Sequence, residues 1–214
     1  MFKNRRDAGR QLAAALKPLA ETRPIVLGLA RGGVVVASEV ARKLHAPLDV
    51  VVARKIGAPF NEEFAIGAMA PGVLHLDPQL VEAARADRRF IEWQATREWG
   101  VMEARERLYR GRQLPLAVAN RVVILVDDGL ATGMTAAAAI SSLRRQGPAR
   151  IVFAAPVGSP QAVRNIARLA DEVVCLYEPA DLRAVGLHYE DFGETSDAEV
   201  QSCLAHSRHW AHVA

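Results

Sequence analysis

The stretch VVILVDDGLATGMT, residues 122–135, decides how the chain is read. Five apolar residues run into two adjacent carboxylates, Asp127 and Asp128. A short loop, ATGMT (131–135), follows and opens into AAAAISSLRRQ (136–146), which Gly147-Pro148 closes. The pattern predicts a buried strand over 122–126, a sharp turn, and a helix over 135–146.

The same unit recurs outward in both directions. IVLGLA (25–30) and LDVVVA (48–53) are apolar runs of strand length, with VVVASEVARKL (34–44) between them as a helix. RIVFAAPV (150–157) and EVVCLY (172–177) flank a helix over 161–170, and residues 2–16 read as an amphipathic helix. Strands without alternation, separated by helices, belong to a parallel sheet covered on both faces. The predicted fold class is α/β, a doubly wound parallel sheet. The chain reads as one domain, 1–214, with its core at about 20–54 and 113–180. Two segments fall outside the alternation, about 55–112 and 181–205, and are expected to form a hood or lid. In the first, FAIGAMAPGVLHLD (64–77) predicts a hairpin turning at Pro71-Gly72. A long helix is expected from about Pro78 to Arg110, with Ala84, Ile91, Ala95, Met102 and Tyr109 as an apolar stripe facing the core, a lid or a second subunit. In the second, Ser196 and Glu199 fit a capping box.

Composition narrows the classes. The chain has 214 residues, 50% hydrophobic and 24% charged, with a net charge of +3, as expected of a globular protein with a substantial core. Basic residues alternate with acids, which argues against a nucleic-acid face. No apolar run is long enough to span a membrane, and the start, MFKNRRDAGRQLAAAL, lacks the apolar core of a signal peptide. Cys175 and Cys203 stand in neither metal nor redox spacing, so a reducing, cytoplasmic setting is expected. His206, His209 and His212 repeat every three residues and read as an exposed helix end rather than a metal site.

In open α/β sheets, ligands sit at the carboxyl ends of the strands. Asp127 and Asp128 fall at such an end and need a metal, a cation or ligand hydroxyls to satisfy them. Ionised carboxylates only accept hydrogen bonds, so a vicinal diol suits them. The loop Ala131-Thr132-Gly133-Met134-Thr135 precedes a helix whose free N–H groups attract an anion, with Gly133 permitting close approach. Diol-binding acids beside a phosphate cradle describe a sugar-phosphate site. Taken singly, an Asp or a Thr here is equally a capping residue. The run contains neither a Walker loop nor GxGxxG.

The run resembles the 5-phosphoribosyl 1-pyrophosphate (PRPP) motif of type I phosphoribosyltransferases. The resemblance covers most of 24–180 and implies that Asp127 and Asp128 bind the ribose hydroxyls and 131–135 the 5′-phosphate. LARGGV (29–34) resembles the family's pyrophosphate loop, which assigns Arg31, Gly32 and Gly33 to pyrophosphate. Arg54-Lys55 resembles the Arg-Lys pair of adenine phosphoribosyltransferases, implying a catalytic role on the departing charge. The segment after it sits where the family carries a flexible catalytic loop, and its Glu62 and Glu63 are expected to pair with these cations. FKNRRDAGRQLA and AVGLHYEDF (184–192) are similar to a bacterial subgroup of unsettled substrate. Tyr189 and Phe192 are either core aromatics or walls of the acceptor site. The resemblance further implies Mg²⁺ held through PRPP, with Asp127 and Asp128 acting on it indirectly, and PRPP and a nitrogenous acceptor such as a purine-like base as substrates; the long amphipathic helix points to a homodimer. One position departs: hypoxanthine and guanine enzymes carry an acid where this chain has Ala131. Two other readings accompany transfer: a PRPP-binding regulator without transfer activity, and a hydrolase of phosphoribosyl compounds.

Overall fold

The computed structural model describes residues 1–211, with side chains through Ser207. Five parallel strands form the central sheet: β1 (Ile25–Leu29), β2 (Leu48–Val51), β6 (Val122–Val126), β7 (Arg150–Val157) and β8 (Glu172–Tyr177), in the order β2-β1-β6-β7-β8. The fold is α/β with a parallel sheet and helices around it, as the apolar runs predict. Strand β1 passes through helix α2 (Gly32–Leu44) to β2 on one side, whereas β6 pairs with β1 on the other. The strand order therefore reverses between the carboxyl ends of β1 and β6, where an open sheet leaves a crevice.

Two apolar cores lie on the faces of this sheet. One joins Val26, Ile124 and Val152 to α2; the other joins Leu27, Leu125 and Phe153 to helix α5 (Met134–Arg144). Gly28 is required by close approach, because a Cβ there would lie 2.5 Å from the Cα of Val34. Helix α2 therefore lies directly on β1. Helix α1 (Arg5–Ala15) packs on α2 through Leu12 and Leu16.

Residues 54–112 depart from several expectations. Residues following Arg54-Lys55 are not a loop but strands β3 (Arg54–Ala58) and β4 (Asn61–Ala70), which join β5 (Val73–Leu76) in an antiparallel sheet. The predicted turn at Pro71-Gly72 is present, with Gly72 at φ +73°. The expected single helix is two, α3 (Pro78–Ala83) and α4 (Arg88–Arg110). Arg85 between them adopts φ +49°, and Asp87 caps the second by accepting from the Phe90 amide. The buried face of α4 is Gln94, Glu98, Met102 and Tyr109; Ala95 is not on it. Polar groups hold the middle of this helix, which an apolar stripe cannot reveal. Its far end is fixed by Arg110, whose Nε lies 3.0 Å from the Asp49 carboxylate on β2.

Helix α6 (Pro160–Ile166) is shorter than predicted. Phe2, expected in the first helix, instead bridges in parallel to Tyr189, with the Phe2 amide donating to the His188 carbonyl at 2.8 Å. Helix α7 (Asp197–Ala211) begins after Ser196, whose Oγ accepts from the Glu199 amide, as the capping pattern predicts. The His209 side chain and His212 lie outside the described residues. Among the described residues, no helix is long and apolar enough to cross a membrane.

Candidate active site

Two glycine-led helices open onto the crevice. Helix α2 starts after Arg31, and the Ala30–Arg31 peptide bond is cis. Helix α5 starts after Gly133 at φ +81°, a left-handed conformation that favours glycine. Neither has a side-chain cap. By contrast, Asn4, Asp77, Asp87 and Ser159 cap α1, α3, α4 and α6. Among the described residues, the two α-helices without a side-chain cap are those that open at the Arg-Gly-Gly and Ala-Thr-Gly segments. Helix starts whose N–H groups lack a side-chain cap are suited to an anion.

The acids lie against the first of these helix starts. A Cβ on Gly33 would meet the Val126 carbonyl at 2.7 Å and the Asp127 Cα at 2.9 Å; one on Gly32 would meet Asp128 Oδ2 at 1.9 Å. The Arg-Gly-Gly loop thus rests on the acidic pair, and only glycines allow it. The Asp127 carboxyl accepts from the Asp128 amide at 2.9 Å. Burial, then the adjacent Asp128 charge, pushes the Asp127 carboxyl well above the usual carboxylate range. A carboxyl so placed favours a hydroxyl-bearing partner over a second anion. The loop beyond is fixed to β7: Leu130 donates to the Val157 carbonyl at 2.8 Å, and Ser159 Oγ to the Ala131 carbonyl at 2.8 Å.

Arg54 and Lys55 reach the same region. They line a cavity of about 350 Å³ that also touches Ala30, Glu98 and Thr135. Gly32 and Gly33 rest on Asp128 and Asp127, and Thr135 at the end of the second loop shares this cavity with Arg54 and Lys55. Their expected partners differ. Arg54 pairs with Glu98 on α4 at 2.7 Å, and Glu62 pairs with Arg97, not with Arg54 or Lys55. Strand geometry explains this, since β3 turns Arg54 toward α4.

Tyr189 takes the core-aromatic alternative. It is buried against Phe2 and Phe192, with its hydroxyl donating to the Asp128 carbonyl at 2.5 Å. Burial, then the Asp128 charge, raises that hydroxyl's pKa further. Phe192 is half-buried, and the Arg5 guanidinium lies 3.8 Å above its ring.

Two site residues escape a reading of local pattern. Arg5 Nε lies 2.7 Å from Asp128 Oδ2, and the Glu194 carboxylate pairs with Arg31. Each bridges the ends of the chain to its middle or start, so no spacing signals it. The motif NRRD at the start of α1 and the ETSD before α7 mark only their helices.

The family described as phosphoribosyl transferase domain matches residues 3–191. A protein of Mycobacterium tuberculosis strain H37Rv, provisionally named a phosphoribosyl transferase, is 45% identical over 207 residues, 95% of this chain. The chain spans about half the length of the curated relatives it matches, 46%. The crystal structure of TT1426 from Thermus thermophilus is 48% identical, with a TM-score of 0.81 and 99% of each chain covered. The AQ2163 protein of Aquifex aeolicus shares the fold alone, at 12% identity and a TM-score of 0.50 over 92% of this chain and 81% of that one.

Proposed function

The chain belongs to the phosphoribosyl transferase family, and from that premise we propose that it transfers the 5-phosphoribosyl group of PRPP to a nitrogenous acceptor, releasing pyrophosphate. The observation that carries the reading is the contact of Gly32 and Gly33 with Asp128 and Asp127 at the switch point between β1 and β6. Around that contact the reading puts a pyrophosphate cradle, a diol-binding pair and a phosphate cradle side by side.

In this reading 131–135 bind the 5′-phosphate, Asp127 and Asp128 the ribose hydroxyls, and Arg31 with 32–33 the pyrophosphate. The bond from C1 to the pyrophosphate oxygen breaks with its electrons leaving on oxygen, and the acceptor nitrogen donates its lone pair to C1. Arg54 and Lys55 stabilise the departing charge, and catalysis is mainly positioning and electrostatics. Segments 55–112 and 181–205 act as the hood that excludes water. On the acceptor side Tyr189 backs the Asp128 main chain, while Phe192 offers the ring face that Arg5 now covers.

Magnesium fits this donor set indirectly. Among the described residues no group of three or more His, Cys, Asp and Glu gathers to hold an ion, and two carboxylates fall short of the six oxygens Mg²⁺ prefers. Asp127 and Asp128 would hold it through substrate oxygens and water, and it would supply countercharge to the pyrophosphate.

A second reading is a PRPP-binding regulator without transfer. It is favoured by the ion pairs that already engage Asp128 and Arg31, which a ligand would exchange. Pyrophosphate release from PRPP with Mg²⁺, across a panel of bases and amines, separates the two. Release that depends on an acceptor supports transfer; release without one favours hydrolysis. PRPP binding with no release favours the regulator, and the absence of PRPP binding overturns the site. Cytoplasmic placement and a homodimer belong to the same proposal, and light scattering in solution tests the second.

A further inference from the structure

We propose that Arg5 is a PRPP-binding residue: its guanidinium moves from Asp128 to the pyrophosphate of the incoming ligand and so frees Asp128 for the ribose diol. The inference rests on the reading of the crevice as a PRPP site and adds a ligand from outside the family's sequence motif.

Position is the first argument. Arg5 Nε lies 2.7 Å from Asp128 Oδ2, and Nη1 donates to the Gly193 carbonyl at 2.6 Å. The position where a Gly32 Cβ would stand is 2.7 Å from Arg5 Nε and 1.9 Å from Asp128 Oδ2. The guanidinium therefore sits at the seam between the acidic pair and the Arg-Gly-Gly loop. In PRPP the corresponding seam runs from the ribose hydroxyls to the pyrophosphate at C1.

Charge is the second. Among the described residues Arg5 is the one cation paired with either acid. A diol reaching Asp128 competes for the oxygen that Arg5 holds, while PRPP brings several negative charges to the adjoining loop. A planar guanidinium forks onto phosphate oxygens as readily as onto a carboxylate, and Arg5 uses two of its five N–H donors on the pairs described. Exchange of an acid for a phosphate keeps both the cation and Asp128 satisfied.

The third is support. The side chain of Arg5 is only 13% exposed and stacks on Phe192 at 3.8 Å, while Asn4 fixes the start of α1 by accepting from the Asp7 amide. The guanidinium is pre-oriented, so a small shift transfers it without reordering a long free side chain.

Calorimetry with PRPP, pyrophosphate and ribose 5-phosphate, each with Mg²⁺, tests the proposal on the wild type, Arg5→Gln and Arg5→Lys. Arg5→Gln should weaken PRPP and pyrophosphate by about 10- to 100-fold, the range of one charge-assisted hydrogen bond. Ribose 5-phosphate, which lacks the pyrophosphate, should change by no more than about 3-fold. Arg5→Lys should recover part of the loss. Equal weakening of all three ligands in both variants would mean that Arg5 only braces Asp128 and the tail, and would overturn the proposal, as would unchanged PRPP and pyrophosphate affinity. Failure of the wild type to bind PRPP would overturn the PRPP-site reading itself, a distinguishable result.

Discussion

The Nε of Arg54 lies 2.7 Å from Oε2 of Glu98, so the first cation of the inserted segment is held by a carboxylate the same segment supplies 44 residues later. Glu98 also receives Arg97 at 3.0 Å, and its side chain is 5% exposed against 33% for Arg54. Glu98→Gln leaves two cations short of a buried partner. Discounted for the exposure of Arg54, the expected loss is about 2 kcal/mol, or roughly 4–8 °C in Tm. Thermal unfolding checks this, and a Tm within about 1 °C of wild type would show the network to be dispensable.

Asp127→Asn should stabilise the protein while removing its ligand. Burial and the Asp128 charge raise the Asp127 carboxyl, so the folded chain holds a proton that the unfolded chain releases near pH 4. Wild-type stability therefore falls as pH rises from about 4 through the raised pKa of Asp127, and its ionisation at neutral pH is a cost. The amide escapes it. At pH 7 the variant should melt roughly 2–4 °C higher, an effect of about 1 kcal/mol, with the advantage vanishing near pH 4. Melts from pH 4 to 8 measure the sign directly, and PRPP binding should be lost.

Two glycines give opposite expectations for the same substitution. Gly32→Ala places a methyl group 1.9 Å from Asp128 Oδ2 and 2.7 Å from Arg5 Nε, so that ion pair must part. The methyl group also fills the seam in which the pyrophosphate would meet Arg5, so PRPP affinity should fall at least about tenfold, the scale of one charge-assisted contact made by the ligand. Gly100, inside α4, has nothing within 4 Å of its Cβ position. Gly100→Ala should gain helix propensity worth about 0.5–1 kcal/mol, raising Tm by roughly 1–4 °C without altering ligand binding. A decrease in Tm would show that this face of α4 tolerates no side chain.

Glu194 pairs with Arg31 although its own side chain is 79% exposed. The pair is weak in solution and competes with any anion for the same guanidinium. Glu194→Gln should tighten pyrophosphate binding by about 2- to 5-fold, with a smaller gain as salt is added. Titrations at two ionic strengths check both parts.

The core was legible because its strands are largely apolar runs, Asp49 within β2 apart, with helix-length segments between them. Asp127, Asp128 and the 131–135 loop announce themselves within fourteen consecutive residues. What escaped the sequence is what distance conceals. Arg5 meets Asp128 across 123 positions, and Arg31 meets Glu194 across 163. The inserted helix misled for a different reason: its buried face carries the polar Gln94 and Glu98, the latter held by Arg54, so hydrophobic periodicity selected Ala95 instead. The break at Arg85 carries no glycine or proline to mark it. For Tyr189, the sequence left two roles open, and only the packing on Phe2 chose between them.

The bridge from Phe2 to Tyr189 also sets an order of events. Arg5 lies three residues beyond that bridge, and Gly193 and Glu194 four and five residues beyond its other side. The crevice therefore acquires its full set of charges only when the first and last parts of the chain meet across the finished sheet. Contacts of such long separation form slowly, because loop closure precedes their gain. Helical content should return early in refolding and PRPP binding late. The ligand thus serves as a clock for the closing step of assembly, and a nascent chain that has not yet reached Tyr189 carries the acids and glycines without the competence they imply.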